Sequence, residues 1–142
     1  MDDAEFIAAF EAAAIPREEW THRAHIRMAY CYLRALPFDE AVRRVRAGIQ
    51  RLNAVNQVPE GPTSGYHETL TIAWLHIVKS TMVERGTGAT FEDFAAQQPH
   101  LLCKTLPRVF YSARGMPPES KHVFVAPDLT PFPGVQWTGG MC

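Results

Sequence analysis

Between Phe38 and Val55 the apolar side chains return at Phe38, Ala41, Val42, Val45, Ile49 and Leu52, the i, i+3, i+4, i+7 rhythm of one helix face. This is the clearest helical signal in the chain. A shorter amphipathic run, Asp3 to Ala14, turns Phe6, Ile7 and Phe10 inward. Thr21 is a good N-cap residue, and the pattern after it predicts a helix to about Ala35. From Ser64 to about Glu84 the chain is apolar around most of a helical wheel, as expected of a helix at the centre of a bundle. Thr90 is placed to cap a short helix, Phe91 to Gln97. A further helix is expected from Pro99 to about Ser112, disturbed at Pro107.

The pattern changes at Met116. Pro117, Pro118, Pro127, Pro131 and Pro133 exclude a continuous helix, while Val123, Phe124, Val125, Phe132 and Trp137 are too apolar for a free linker. The expectation is an extended strap lying over the bundle, with a short strand at Val123–Val125. The alternative is a segment that orders only against the second copy of a homodimer. The predicted fold is therefore all-α: a single-domain bundle of five to six helices over residues 1–115, with a Pro-rich extended C-terminal strap over 116–142.

Charge narrows the partners. The net charge is −1, with acidic and basic residues interspersed, so no basic face for nucleic acid or an anionic membrane is expected. Arg43, Arg44, Arg46 and Arg51 cluster locally and read as a solvated helix face. A hydrophobic fraction of 46% with 20% charged residues is ordinary for a globular domain and argues against disorder. Cys31, Cys103 and Cys142 are far apart and odd in number, so neither a disulfide framework nor a thiolate metal site is expected. The start, Met1-Asp2-Asp3-Ala4-Glu5, is acidic and leads into no signal-like apolar run, and no apolar stretch is long enough to span a bilayer. These features point to a reducing cytoplasm.

Candidate chemistry gathers at one end of the predicted bundle. On the second helix His22 and His25 share a stripe with Ile26, Ala29, Leu33 and Leu36, opposite Arg23, Arg27 and Arg34. An i, i+3 histidine pair on an inward face can reach one ion or one ligand. Asn53 and Asn56 close the third helix, where an asparagine also serves as a C-cap. The fourth helix opens Gly65-Tyr66-His67-Glu68-Thr69, with His67 in line with Leu70, Thr71, Trp74 and Val78. Glu68 has a plain explanation as a helix-dipole partner; His67 has none, since a cation is disfavoured there. A short turn at Pro37 makes the second and third helices antiparallel, and about eight residues join the third to the fourth. His22, His25, Asn53, Asn56, Tyr66, His67 and Glu68 are thus expected together. His76 reads as core or groove, His100 as a helix-start residue, and His122 as part of the strap.

The strings Trp20-Thr21-His22-Arg23-Ala24-His25 and Gly65-Tyr66-His67-Glu68-Thr69-Leu70-Thr71 resemble those of an uncharacterised family of small bacterial helical proteins with W-T-H-x-x-H and G-Y-H-E-T motifs. Tyr111-Ser112 and Pro127-Asp128-Leu129 resemble its C-terminal part. The resemblance implies that His22, His25, His67 and Glu68 act as one unit, and implies no activity.

H-E-x-x-H does not occur and inward carboxylates are too few, which argues against a zinc protease and a di-iron bundle. The expectation is a mononuclear metalloenzyme acting on a small polar substrate, with Fe, Zn or Mn on His22, His25 and His67. Glu68 would be a fourth ligand or general base, and Tyr66, Asn53 and Asn56 would handle substrate. Whether the reaction is oxidative, hydrolytic or a lyase step is left open. A metal-free His/Glu acid–base enzyme and a non-catalytic small-ligand or partner-binding module are the alternatives.

Overall fold

Five α-helices carry the described part of the chain, residues 1–132 of this computed structural model: α1 Asp3–Glu11, α2 His22–Ala35, α3 Phe38–Val55, α4 Glu68–Arg85 and α5 Phe91–Gln97. Short 3-10 turns occupy Arg17–Glu19, Pro99–Leu102, Leu106–Val109 and Pro118–Lys121. The all-α bundle follows from the sequence pattern. No helix among the described residues is long and apolar enough to cross a membrane.

Local chemistry sets the helix ends. Asp2 and Glu5 form a reciprocal capping box on α1, while Thr21 and Thr90 cap α2 and α5 by accepting from the backbone N–H of Ala24 and Asp93. α1 stops at Glu11, three residues short of the expected end. Ala13 takes a left-handed conformation (φ 53°), the Ala13 N–H bonds to Phe10 O and the Ala14 N–H to Ala9 O. These are the two bonds of a Schellman stop, made here without glycine. The turn lets Ile15 swing back into the core. α3 ends the same way, with Gln57 left-handed (φ 56°) and the Val58 N–H on Asn53 O.

α2 packs against α1, α3, α4 and α5, and its Ile26, Met28, Ala29, Tyr30 and Leu33 are all buried. Each such side chain contributes roughly 1.5–3 kcal/mol by leaving water. α4 is buried on most sides, from Thr69 and Ile72 through to Met82. α5 plugs the side of α2, setting Phe91 edge-on and Phe94 tilted against Tyr30, with centroids 5.7 and 4.9 Å away. At Gly48 of α3 the helix surface is bare enough for the Phe10 ring of α1 to lie directly on it.

Two expectations are corrected. The helix predicted from Pro99 to Ser112 is two separate 3-10 turns, because Pro107 cannot donate within a helix and Leu101 and Phe110 must both turn inward. The strand at Val123–Val125 is not formed among the described residues. Instead the Thr69 hydroxyl donates to Val123 O (3.2 Å) and accepts from the Val125 N–H (3.1 Å), tying the extended chain to the first turn of α4.

The strap itself lies on its own bundle as far as residue 132. Tyr111 donates its hydroxyl to Val125 O (2.6 Å), the Leu129 N–H bonds Phe110 O (3.0 Å), and Asp128 accepts from Ser112. Phe132 is buried, its ring stacked on His76 at 4.9 Å, with Phe38 on His76 at 4.3 Å. His76 is a core residue. Trp137 lies outside the described residues.

Candidate functional site

The start of α2, the end of α3 and the start of α4 meet around a cavity of about 510 Å³, within the size range of small-molecule pockets. His22, His25, Asn53, Tyr66 and His67 all line it, together with Trp20, Thr71 and Trp74 and the apolar Ile26, Ile49, Val58, Leu70 and Leu75. Five of the seven residues expected to converge there do so.

Each histidine is fixed by the backbone through one ring nitrogen. His22 Nε2 lies 2.9 Å from the carbonyl of Leu101, in the first 3-10 turn after α5. His25 Nδ1 lies 2.7 Å from the carbonyl of Thr21, one turn back on its own helix. A carbonyl oxygen only accepts, so both of these nitrogens carry hydrogen. His67 is the opposite case. It is the N-cap of α4, not a residue of its first turn, and its Nδ1 accepts from the Leu70 N–H at 3.1 Å. That nitrogen must hold a lone pair. The second ring nitrogen of each histidine has no hydrogen-bond partner among the described residues and is not sealed from solvent.

Electrostatics keep the rings neutral. Burial pushes His25 down to about 4 against the opposing pull of the Thr21 carbonyl, with small repulsions from His22 and Lys104. Burial also lowers His22, offset in part by Leu101 O and reinforced by Lys104. His67 is lowered by burial and then by the charges of Lys121 and His122. Neutral His22 therefore has a lone pair on Nδ1 and neutral His25 on Nε2, whereas neutral His67 has its hydrogen on Nε2. The rings pack on aromatic walls: Trp20 lies on His25 with centroids 3.9 Å apart, and Trp74 on His22 at 4.8 Å.

Glu68 and Asn56 are placed differently from the other five. The Glu68 carboxylate does not line the cavity; it accepts from Arg46 Nε (3.0 Å) and Nη2 (2.6 Å) and from the Tyr66 hydroxyl (2.6 Å). Burial would raise its pKa, yet the bonds from Arg46 and Tyr66 together hold it below the usual carboxylate value. Arg46 thus leaves the solvated cluster expected of it. Asn56 donates its side-chain amide to Ile15 O at 3.0 Å, fastening the end of α3 to the turn after α1. The Asn53 side chain lines the cavity and makes no hydrogen bond among the described residues.

The sequence reading missed Arg17 and Lys104, which also line the cavity. Both sit in turns between helices, where no periodicity points at a shared site. Phe124 and Phe132 of the strap do not line it. The strap instead reaches His67 from behind, where His67, Glu60, Lys121 and His122 border a second cavity of about 570 Å³. Among the described residues no three His, Cys, Asp or Glu side chains are grouped so as to hold a metal ion. Compared with known proteins, the chain matches no family model, no curated protein and no solved structure.

Proposed function

We propose that the cavity binds a small organic molecule and that its neutral imidazoles hold and move a proton on it. His22 Nδ1 and His25 Nε2 are the acceptors, and His67 Nε2–H is the donor. The observation that carries this reading is the opposite anchoring of the rings: two give their N–H to a carbonyl, and one takes an N–H from an amide. Acceptors and a donor around one apolar cavity are what acid–base work on a small polar substrate requires. Neutrality at pH 7 follows from the burial that lowers all three pKa values. Tyr66 and Glu68 act on this site indirectly, by fixing the loop and helix start that hold His67.

Long-range ¹⁵N spectra of the histidine rings in the full chain test the assignment. The expected tautomers at neutral pH are Nε2–H at His22, Nδ1–H at His25 and Nε2–H at His67. A panel of small polar aromatic and aliphatic compounds should shift these rings before any others. Cationic rings at neutral pH, or rings that respond to none of the panel, overturn the reading.

One observation favours a second reading. An imidazole whose N–H is held by a carbonyl, with its lone pair free opposite, is oriented as metal-bound histidines usually are. Here Fe, Zn or Mn would sit on His22 and His25, and His67 would have to abandon its helix cap to join them. Elemental analysis after growth in metal-supplemented medium separates the two. About one ion per chain, lost in His22→Ala and in His25→Ala, replaces the metal-free reading with this one.

A further inference from the structure

The charged groups around the cavity are all of one sign. Its lining contains two full cations, Arg17 and Lys104, and no carboxylate. Neither cation forms an ion pair with an acidic group among the described residues. Glu18 and Glu19 follow Arg17 in sequence, but they line a different groove, with Phe6, Arg27 and Phe91. The two acidic side chains bonded to the lining residue Tyr66, Glu68 and Glu60, do not line the cavity and are already paired with Arg46 and Lys121.

The backbone adds to this sign. α2, of 14 residues, and α4, of 18, both begin at the cavity, through Thr21–His22 and His67. Each helix start carries a partial positive charge. The histidines add no compensating negative charge. Trp20 and Trp74 share the lining with Ile26, Leu70 and Leu75, so the rest of the wall is largely aromatic and apolar.

Building on the small-molecule reading above, we infer that the ligand is a small organic anion with a flat apolar body, most simply an aromatic monocarboxylate. Its carboxylate pairs with Arg17 and Lys104 at the turns, and its ring lies against the apolar lining beside Trp74. The three imidazoles then face the middle of the molecule. Two cations with no acidic partners lose little by taking up a carboxylate, whereas an amine would meet only like charge. Charge at the mouth selects the ligand, and the histidines do not.

The test uses three probes of one shape: phenylacetate, phenylacetamide and phenethylamine. Each is titrated into the full chain at low ionic strength, with backbone amide spectra reporting the site. The expected order is phenylacetate bound at least about tenfold tighter than phenylacetamide, with phenethylamine weakest. Added salt should weaken phenylacetate and leave the amide unchanged. In the Arg17→Gln/Lys104→Gln variant, whose changes fall on exposed turn residues, the preference for the acid should vanish while amide binding persists. If the amide or the amine binds as well as the acid at Trp20, Trp74 and the histidines, the anion inference fails and the small-molecule site stands. If none of the three perturbs the cavity residues, the underlying reading fails as well.

Discussion

Arg46 of α3 grips both carboxylate oxygens of Glu68, at 3.0 and 2.6 Å, and so fastens the middle of one helix to the start of the next. The pair is partly buried, with the Glu68 side chain 14% exposed and that of Arg46 37%. Removing one partner leaves the other short of hydrogen bonds in a poorly hydrated place. Glu68→Gln should therefore cost about 1–3 kcal/mol in chemical denaturation, more than a dipole partner at an exposed helix start would. Combined with Arg46→Met it should show a coupling of about 1 kcal/mol. A Glu68→Gln variant as stable as the parent shows that the pair is unimportant to the fold.

Acid should unfold the protein earlier than its carboxylates alone would dictate. His25 and His76 are each pushed by burial from 6.5 to about 4. The folded chain refuses protons that the unfolded chain accepts, so their contribution is complete above about pH 7. It is lost as the pH falls below the unfolded value, and levels off once the pH is below about 4. Each ring corresponds to at most about 3 kcal/mol, less for the half-buried His25, against a total of roughly 5–15 kcal/mol for a domain. Melting curves from neutral pH to pH 4.5 should drop steeply, and His76→Leu should flatten the drop. A melting temperature indifferent to pH over that interval contradicts this.

Gly48→Ala sets two effects against each other. Alanine in mid-helix is favoured over glycine by roughly 0.8–1 kcal/mol. A β-carbon at this position would collide with the ring of Phe10, which is fully buried and packed against Trp20 and Tyr32. Overpacking of that kind costs about 1–3 kcal/mol, so the net effect should be destabilising. Thermal denaturation gives the sign directly, and a stabilised variant would mean that α1 can slide away from α3.

The strap should matter to stability more than its irregular backbone suggests. Phe132→Ala empties a buried stack on His76 and should cost on the order of 3 kcal/mol. Truncation after Gly115 also removes the bonds to Thr69, Tyr111 and Phe110, and should lower the melting temperature by several degrees or more. Limited proteolysis checks the same point. Rapid loss of residues 116–132 from native protein, with no change in melting, would show that they are not held.

The sequence carried the bundle and much of the site for identifiable reasons. Thr21, Thr90 and Pro37 mark three helix starts unambiguously, and the short connections then force His22, His25 and His67 together. The missing parts depend on facing, not on spacing. Arg43, Arg44 and Arg46 look equally solvated on a wheel, and only the packing of α3 on α4 singles out Arg46 for Glu68. His67 reads as a helical residue until its imidazole is seen capping Leu70. Arg17 and Lys104 belong to turns whose paths are set by buried neighbours, Ile15 and Leu101, far from any periodic signal.

The Lys121 ammonium donates to Tyr66 O at 2.6 Å and to Glu60 Oε1 at 3.2 Å, while Glu60 Oε2 accepts the Tyr66 N–H. Gly65, left-handed at φ +89°, has no side chain to hold that carboxylate away. The loop that aims His67 is therefore shaped by a residue 55 positions further along. The loop's own bonds, Ser64 to Pro59 and Tyr66 to Glu60, are local, and Lys121 adds the tie to the chain that follows α5. A chain stopped short of Lys121 should keep its helices and lose the tie that steadies the approach to His67. Order in this loop is thus borrowed from a distant stretch of sequence, and a change at Lys121 should be felt at His67 without touching the helices between them.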